Sequence, residues 1–143
     1  MAKINATLDT TFFMNHYFSN DNAILTRASE ILRRARLQRN RGIVSTIVLA
    51  ELYALAAKKT GASEAERRFD EIASSGLEII GENTVISKRA GIIRHRYQEK
   101  IPWGDCLIAA TGLECGTELI LTEDSQFNDV KEIKSRRISE MNI

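Results

Sequence analysis

Four acidic residues stand where an α/β protein would place its chemistry. Asp9 closes a first apolar strand pattern, and Glu51 lies about one helical turn into the helix that follows the second. Asp105 sits in the first turn of a helix entered through Pro102, and Asp124 follows a short apolar run ending near Thr122. Neither Ile43–Ala57 nor Ile101–Thr122 contains a Lys or Arg. Carboxylates gathered without bases repel one another, and their pKa values rise unless a cation is present. A hard divalent ion suits such oxygen donors, and Mg²⁺ is commonly held by one or two carboxylates plus water. The ordinary readings are a helix cap for Asp105, a turn residue for Asp124 and a solvated helix residue for Glu51. The last is the weakest. Leu49, Ala50, Leu52, Tyr53 and Ala54 surround Glu51, and a carboxylate among apolar groups needs a partner.

The elements that must position these acids alternate between strand and helix. Ile4–Asp9 reads as a strand, followed by a helix capped by Thr10 or Thr11 and running through Phe18. Phe12, Phe13, Tyr17 and Phe18 form its core stripe. A second helix, from the Asn20–Asn22 cap cluster to about Arg39, buries Ile24, Ala28, Ile31 and Ala35. Ile43–Thr46 is a second strand, and Ser45 or Thr46 caps the helix that ends near Gly61. Ser63 with Glu66 predicts a capping box for the next helix, and Leu77–Ile80 is a third strand. Helices follow over about Thr84–Glu99 and Trp103–Cys115. Leu119–Thr122 is a fourth strand, and a last one falls within Arg137–Met141. Such alternation predicts a mostly parallel sheet with helices on both faces, whose ligands bind outside the carboxyl ends of the strands.

The remaining composition narrows the function classes. The 143 residues predict a single domain over 1–143. A formal charge of +1 excludes a globally basic nucleic-acid coat but leaves room for local basic patches. Cys106 and Cys115 make no metal motif and read as small buried hydrophobes. His16 and His95 lack a second ligand at metal spacing. No Gly-rich phosphate loop and no Ser-His-Asp order stands out. Trp103 reads as a packing residue, and Tyr53 with Leu49 as either core or a partner surface. The N-terminus lacks the apolar core of a signal peptide, and no run of 18 apolar residues exists. A cytoplasmic protein without membrane attachment is the expectation.

The stretch from Ile101 to Gly116, with Asp105 and Ile108-Ala109-Ala110, precedes Leu119-Ile-Leu-Thr-Glu-Asp-Ser-Gln-Phe127. It resembles the C-terminal half of PIN-domain ribonucleases, most of all the VapC-type toxins of toxin–antitoxin pairs. Leu8-Asp9-Thr10 resembles that family's opening strand, and Ser45 through Glu51-Leu52 its second acidic motif. Gln126 stands where many members carry Asp or Asn, and Phe12 and Phe13 where aliphatic residues are usual. The resemblance implies a three-layer α/β/α PIN-like fold and Mg²⁺- or Mn²⁺-dependent endoribonuclease activity. It also implies a homodimer, an RNA substrate and an antitoxin partner. Asp9 and Asp105 would bind metal most directly, Glu51 would complete the site, and Asp124 would assist directly or through water.

Within that picture, Thr10 and Thr122 are candidates to position water or phosphate, and Thr46 is better read as a cap. RNA also needs cations. Arg33, Arg34, Arg36, Arg39 and Arg41 read either as an RNA groove, with Arg34 and Arg36 at its centre, or as a solvated helix end. Arg94, Arg96 and Lys100 read as solvated. Two other readings keep the fold: a nuclease of structured RNA or DNA without an antitoxin, and a catalytically silent interaction domain. A phosphoacceptor receiver domain is disfavoured, because the paired acids near the first strand and the Lys after the last are missing.

Overall fold

The computed structural model describes residues 3–143. Five parallel strands form the sheet: β1 (Asn5–Leu8), β2 (Arg41–Ser45), β3 (Glu78–Ile80), β4 (Leu119–Leu121) and β5 (Lys134–Arg136), in the order β3-β2-β1-β4-β5. Six helices flank it as the outer layers of an α/β/α sandwich: α1 (Thr10–Phe18), α2 (Asn22–Ala35), α3 (Thr46–Thr60), α4 (Ala62–Ala73), α5 (Thr84–Arg96) and α6 (Trp103–Glu114). The chain builds outward from β1 through β2 to β3, then returns to the other side of β1 for β4 and β5. The strand order therefore reverses beside β1, and a crevice opens at the carboxyl ends of β1 and β4.

Local chemistry explains most element boundaries. Asp21 caps α2 by accepting from the Ala23 and Ile24 amides at 2.9 and 3.4 Å. Ser45 caps α3 through the Ile47 amide, and Asn83 caps α5 through the Ile86 amide at 2.9 Å. Several boundaries differ from the sequence reading; β2 starts at Arg41 rather than Ile43, and α5 stops at Arg96 rather than about Glu99. Helix α2 stops at Ala35 rather than near Arg39. Beyond it, Asn40 donates from Nδ2 to the Arg34 carbonyl and accepts from the Ile4 amide, tying the helix end to the start of β1. Helix α4 starts at Ala62 after Gly61, whose φ of 99° suits glycine, and Ser63 makes no cap. The last strand is Lys134–Arg136, while Ile138–Glu140 forms a 3-10 turn closed by the Arg137 amide donating to Glu140 Oε1.

Helix α6 is the central packing element. Cys106 and every residue from Ile108 to Gly112 are buried, so it is covered all round rather than amphipathic. Its small residues let it approach β1 closely. A Cβ on Gly112 would lie 2.8 Å from Thr117 Oγ1 and collide with Thr7, whose hydroxyl bonds Thr117 at 2.7 Å. This closeness brings the first turn of α6 to the carboxyl end of β1. Phe12 and Phe13 pack edge to face at 5.3 Å beneath the site. Leu49 belongs to the core, whereas Cys115 is only half-buried.

Candidate active site

Asp9 leaves the central strand at the reversal point and is 3% exposed. Its amide donates to the Leu121 carbonyl at 3.0 Å, which locks β1 to β4 at that level. Its carboxylate is held by hydroxyls rather than by a base. Thr122 Oγ1 donates to Asp9 Oδ2 at 2.7 Å, and Thr11 Oγ1 to the same oxygen at 2.8 Å. The two hydroxyls lie 3.1 Å apart. Each also accepts a backbone amide of the loop after β4: Glu123 on Thr11, and Asp124 on Thr122, both at 2.9 Å. That loop is thereby fastened to Asp9, and Asp124 follows directly.

Glu51 projects from α3 and is half-buried, with Oε1 accepting from Thr10 Oγ1 at 2.7 Å. Burial, and then repulsion from Asp9, raises its carboxyl despite that bond. Asp105 is pushed up to about 7, first by burial and then by the negative charges of Asp9, Asp124 and Glu51, with a hydrogen bond to Asp124 adding to the rise. Asp124 also caps the following 3-10 turn through the Gln126 amide at 2.9 Å. The four predicted acids are thus electrostatic neighbours, and among the described residues none of them has an ion-pair partner within 4.0 Å.

This donor set fits a hydrated hard cation. The donors are all oxygens, they carry unbalanced negative charge, and Asp105 holds its proton up to neutral pH for want of a counter-charge. Among the described residues, no three Asp, Glu, His or Cys side chains converge tightly enough to enclose an ion directly. An ion held here would need water among its ligands, as Mg²⁺ commonly has.

A model of the PIN domain matches residues 6–133. The chain belongs to the PIN domain family. Solved structures share the PIN fold. VapBC2 from Rickettsia felis, bound to a promoter DNA fragment, has a TM-score of 0.73 at 20% identity, covering 94% of this chain and 98% of that one. VapC20 from Mycobacterium tuberculosis, a sarcin-ricin loop cleaving toxin, gives 0.72 at 17% identity over 90% of this chain and 98% of that one. DNA-bound VapBC from Salmonella typhimurium gives 0.69 at 21%, over 94% and 98%. No curated protein matches by sequence.

The geometry also places the other predicted side chains of this PIN domain. Thr10 and Thr122 each hold a carboxylate of the site. A hydroxyl has one proton to donate, and each directs it to a carboxylate in a buried setting, so both orient Glu51 and Asp9. Arg34 and Arg36 are not brought to the acids. The end of α2 is tied to Ile4, at the amino end of the central strand and so at the opposite end of β1 from Asp9, and Arg34 pairs with Glu30 at 2.8 Å. Trp103 is 54% exposed, with Arg94 lying over its ring at 4.8 Å, so it is not a core residue.

Two contributors escaped the sequence reading. Thr11 was visible only as a cap candidate, yet it binds Asp9 from two residues away. Gly104 adjoins Asp105, and a Cβ there would stand 2.9 Å from Glu51 Oε2. The flexible Glu51 side chain can yield, so Gly104→Ala should leave thermal stability nearly unchanged. Displacing that carboxylate by even part of an ångström should still lower cleavage, by about 10–100-fold. Full activity with normal unfolding would show that Glu51's position is unimportant.

Proposed function

We propose that this PIN domain, a single unit over residues 1–143, is a Mg²⁺- or Mn²⁺-dependent endoribonuclease and the toxin of a toxin–antitoxin pair. The observation that carries the reading is the gathering of Asp9, Glu51, Asp105 and Asp124, from four separate segments, at the reversal point of the sheet without a counter-cation. The fold shared with VapC20, a sarcin-ricin loop cleaving toxin, supports RNA as substrate.

Asp9 and Asp105 would hold the ion most directly, with Glu51 and Asp124 acting on its water ligands. The ion, when bound, supplies Lewis-acid charge to a phosphodiester oxygen and lowers the pKa of a water. The chain's own task is orientation. Thr11 and Thr122 fix Asp9, Thr10 fixes Glu51, and Asp105 would hold the ion in its ionised form, its proton passing to solvent. The carboxylates do not attack phosphorus.

An antitoxin partner is supported by the VapBC complexes that share the fold. A homodimer is supported by Val85 and Ile92, seven residues apart on one face of α5 and exposed at 58% and 46%. Cytoplasmic action accords with an RNA substrate, and no described helix is long and apolar enough to cross a membrane.

Incubation of the purified protein with total RNA should give discrete cut ends with Mn²⁺ or Mg²⁺ and none with excess chelator. RNA left intact in Mn²⁺, or cut equally well in chelator, would overturn the assignment. Cleavage of DNA alone would keep the metal chemistry and remove the RNA substrate.

A further inference from the structure

A cup of carboxylates repels a polyanion, so a nuclease must hold its substrate's phosphates with cations elsewhere. Most arginines are already committed. Arg33, Arg34, Arg41, Arg67, Arg68, Arg89 and Arg96 all pair with glutamates. Arg27 donates to the carbonyls of Ile138, Ser139 and Met141. Arg94 donates to the Ile101 carbonyl beneath Trp103. Arg36 and Arg39 flank the end of α2, which is tied to the amino end of β1, away from the acids.

Among the cations left without a carboxylate partner, one group lies on and around β5, beside the loop that follows β4. Lys131, Lys134 and Arg136 are exposed, and among the described residues none forms an ion pair within 4.0 Å. Arg137 is less free, because it faces Glu123 and Glu140. The Arg136 carbonyl accepts the Thr122 amide at 3.0 Å, so Arg136 stands one strand away from the residue that holds Asp9. A polar cleft of about 390 Å³ opens there, lined by Asp124, Asn128, Ser135 and Arg136 among others. A second, shallower cleft shares Asn128, Ser135 and Arg136 and continues to Lys131 and Lys134. The two make one path that starts at Asp124 and runs along the sheet edge.

We infer that this path is the substrate track: single-stranded RNA runs along the outer edge of β5, its phosphates held by Lys131, Lys134 and Arg136, and reaches the carboxylates past Asp124. The inference rests on the endoribonuclease reading and deepens it. Lys134 and Arg136 are two residues apart on a strand, so they share a face at a spacing of roughly 6.6 Å. That suits successive phosphates of an extended strand. Ser135 and Asn128, bonded to each other between the two clefts, offer polar contacts to a sugar or base. Charged residues on an edge strand also discourage sheet-to-sheet pairing. That protective role alone would leave RNA affinity unaffected by their loss.

The test is fluorescence anisotropy of a labelled single-stranded RNA oligonucleotide, in chelator, over a series of NaCl concentrations. Lys134→Ala/Arg136→Ala removes two phosphate contacts. The slope of log affinity against log salt should become shallower by about 1.4, at roughly 0.7 per contact. Lys134→Arg/Arg136→Lys should retain the wild-type slope, and Arg36→Ala/Arg39→Ala should leave it unchanged. An unaltered slope in Lys134→Ala/Arg136→Ala, or an equal loss in the Arg36/Arg39 variant, overturns the track. Cleavage in Mn²⁺ is read separately. A wild type that cuts RNA while the slope stays unaltered sinks only this inference. A wild type that neither binds nor cuts RNA sinks the nuclease reading with it.

Discussion

Asp105→Asn is expected to do two opposite things: abolish metal-dependent cleavage and stabilise the metal-free protein. The first follows from the role proposed for its carboxylate. Loss of one electrostatic stabiliser of a transition state lowers turnover on the order of 10²–10³-fold, and a direct metal ligand should cost at least that. The second follows from the unbalanced charge. Asp105 is pushed up to about 7 in the fold, against about 3.9 in an unfolded chain. A folded pKa above the unfolded one means that the folded state binds more protons between these values. Stability therefore falls as pH rises from about 4 to about 7, and the penalty is constant above that.

An asparagine carries no such penalty. Its advantage should be absent below pH 4 and complete above pH 7. Discounted for the partial exposure of the group, it is worth about 1–2 kcal/mol, or roughly 2–8 °C in melting temperature. Mg²⁺ should raise the melting temperature of the wild type and leave that of Asp105→Asn unchanged. A variant that melts lower than the wild type at pH 8, or still cuts RNA, would show that Asp105 is not in an uncompensated acidic cup. Asp9→Asn should lose activity as fully. It should gain less stability, because its carboxylate already accepts two hydroxyl bonds.

That contrast between two aspartates marks what the sequence could and could not disclose. The places of the four acids in the fold were legible, because a hydrophobic pattern locates strand ends, where Asp9 and Asp124 fall, and helix starts, from which Asp105 and Glu51 are counted. The lack of any Lys or Arg near Glu51 and Asp105 was legible too, and it anticipates the raised carboxyls. The hydroxyl lattice was not. Thr10, Thr11 and Thr122 each fit a cap or turn, and only the pairing of β1 with β4 brings Thr122 to Asp9 across 113 residues. Gly104 carries no signal of its own, since its value lies in a close approach by Glu51 from another helix. The short β5 was misplaced because three residues show no usable alternation, and Ile138, buried in a turn, looked like part of a strand. Where the arginine-rich segment would lie was not legible, since it depends on Asn40 tying the end of α2 to the amino end of β1.

Thr122→Val is therefore expected to hurt more than an ordinary threonine substitution in a turn. The swap keeps shape, so any loss reports the hydroxyl. That oxygen donates to Asp9 Oδ2 at 2.7 Å, accepts the Asp124 amide at 2.9 Å and lies 3.1 Å from the Thr11 hydroxyl, all at a residue 3% exposed. Valine leaves a buried carboxylate short of a donor and a backbone amide without its acceptor. Unsatisfied buried groups cost about 1–3 kcal/mol each. With Thr11 still bonded to Asp9, a total of about 2–3 kcal/mol is expected, seen as a melting temperature lower by roughly 4–12 °C. Asp9 would also lose its fixed orientation, and cleavage should fall about 10–100-fold, the scale for a group that orients a metal ligand. Thr122→Ser keeps the donor and acceptor and should recover most of both losses. If serine and valine behave alike, the methyl group rather than the hydroxyl is what the site requires, and the orienting role assigned to Thr122 is wrong.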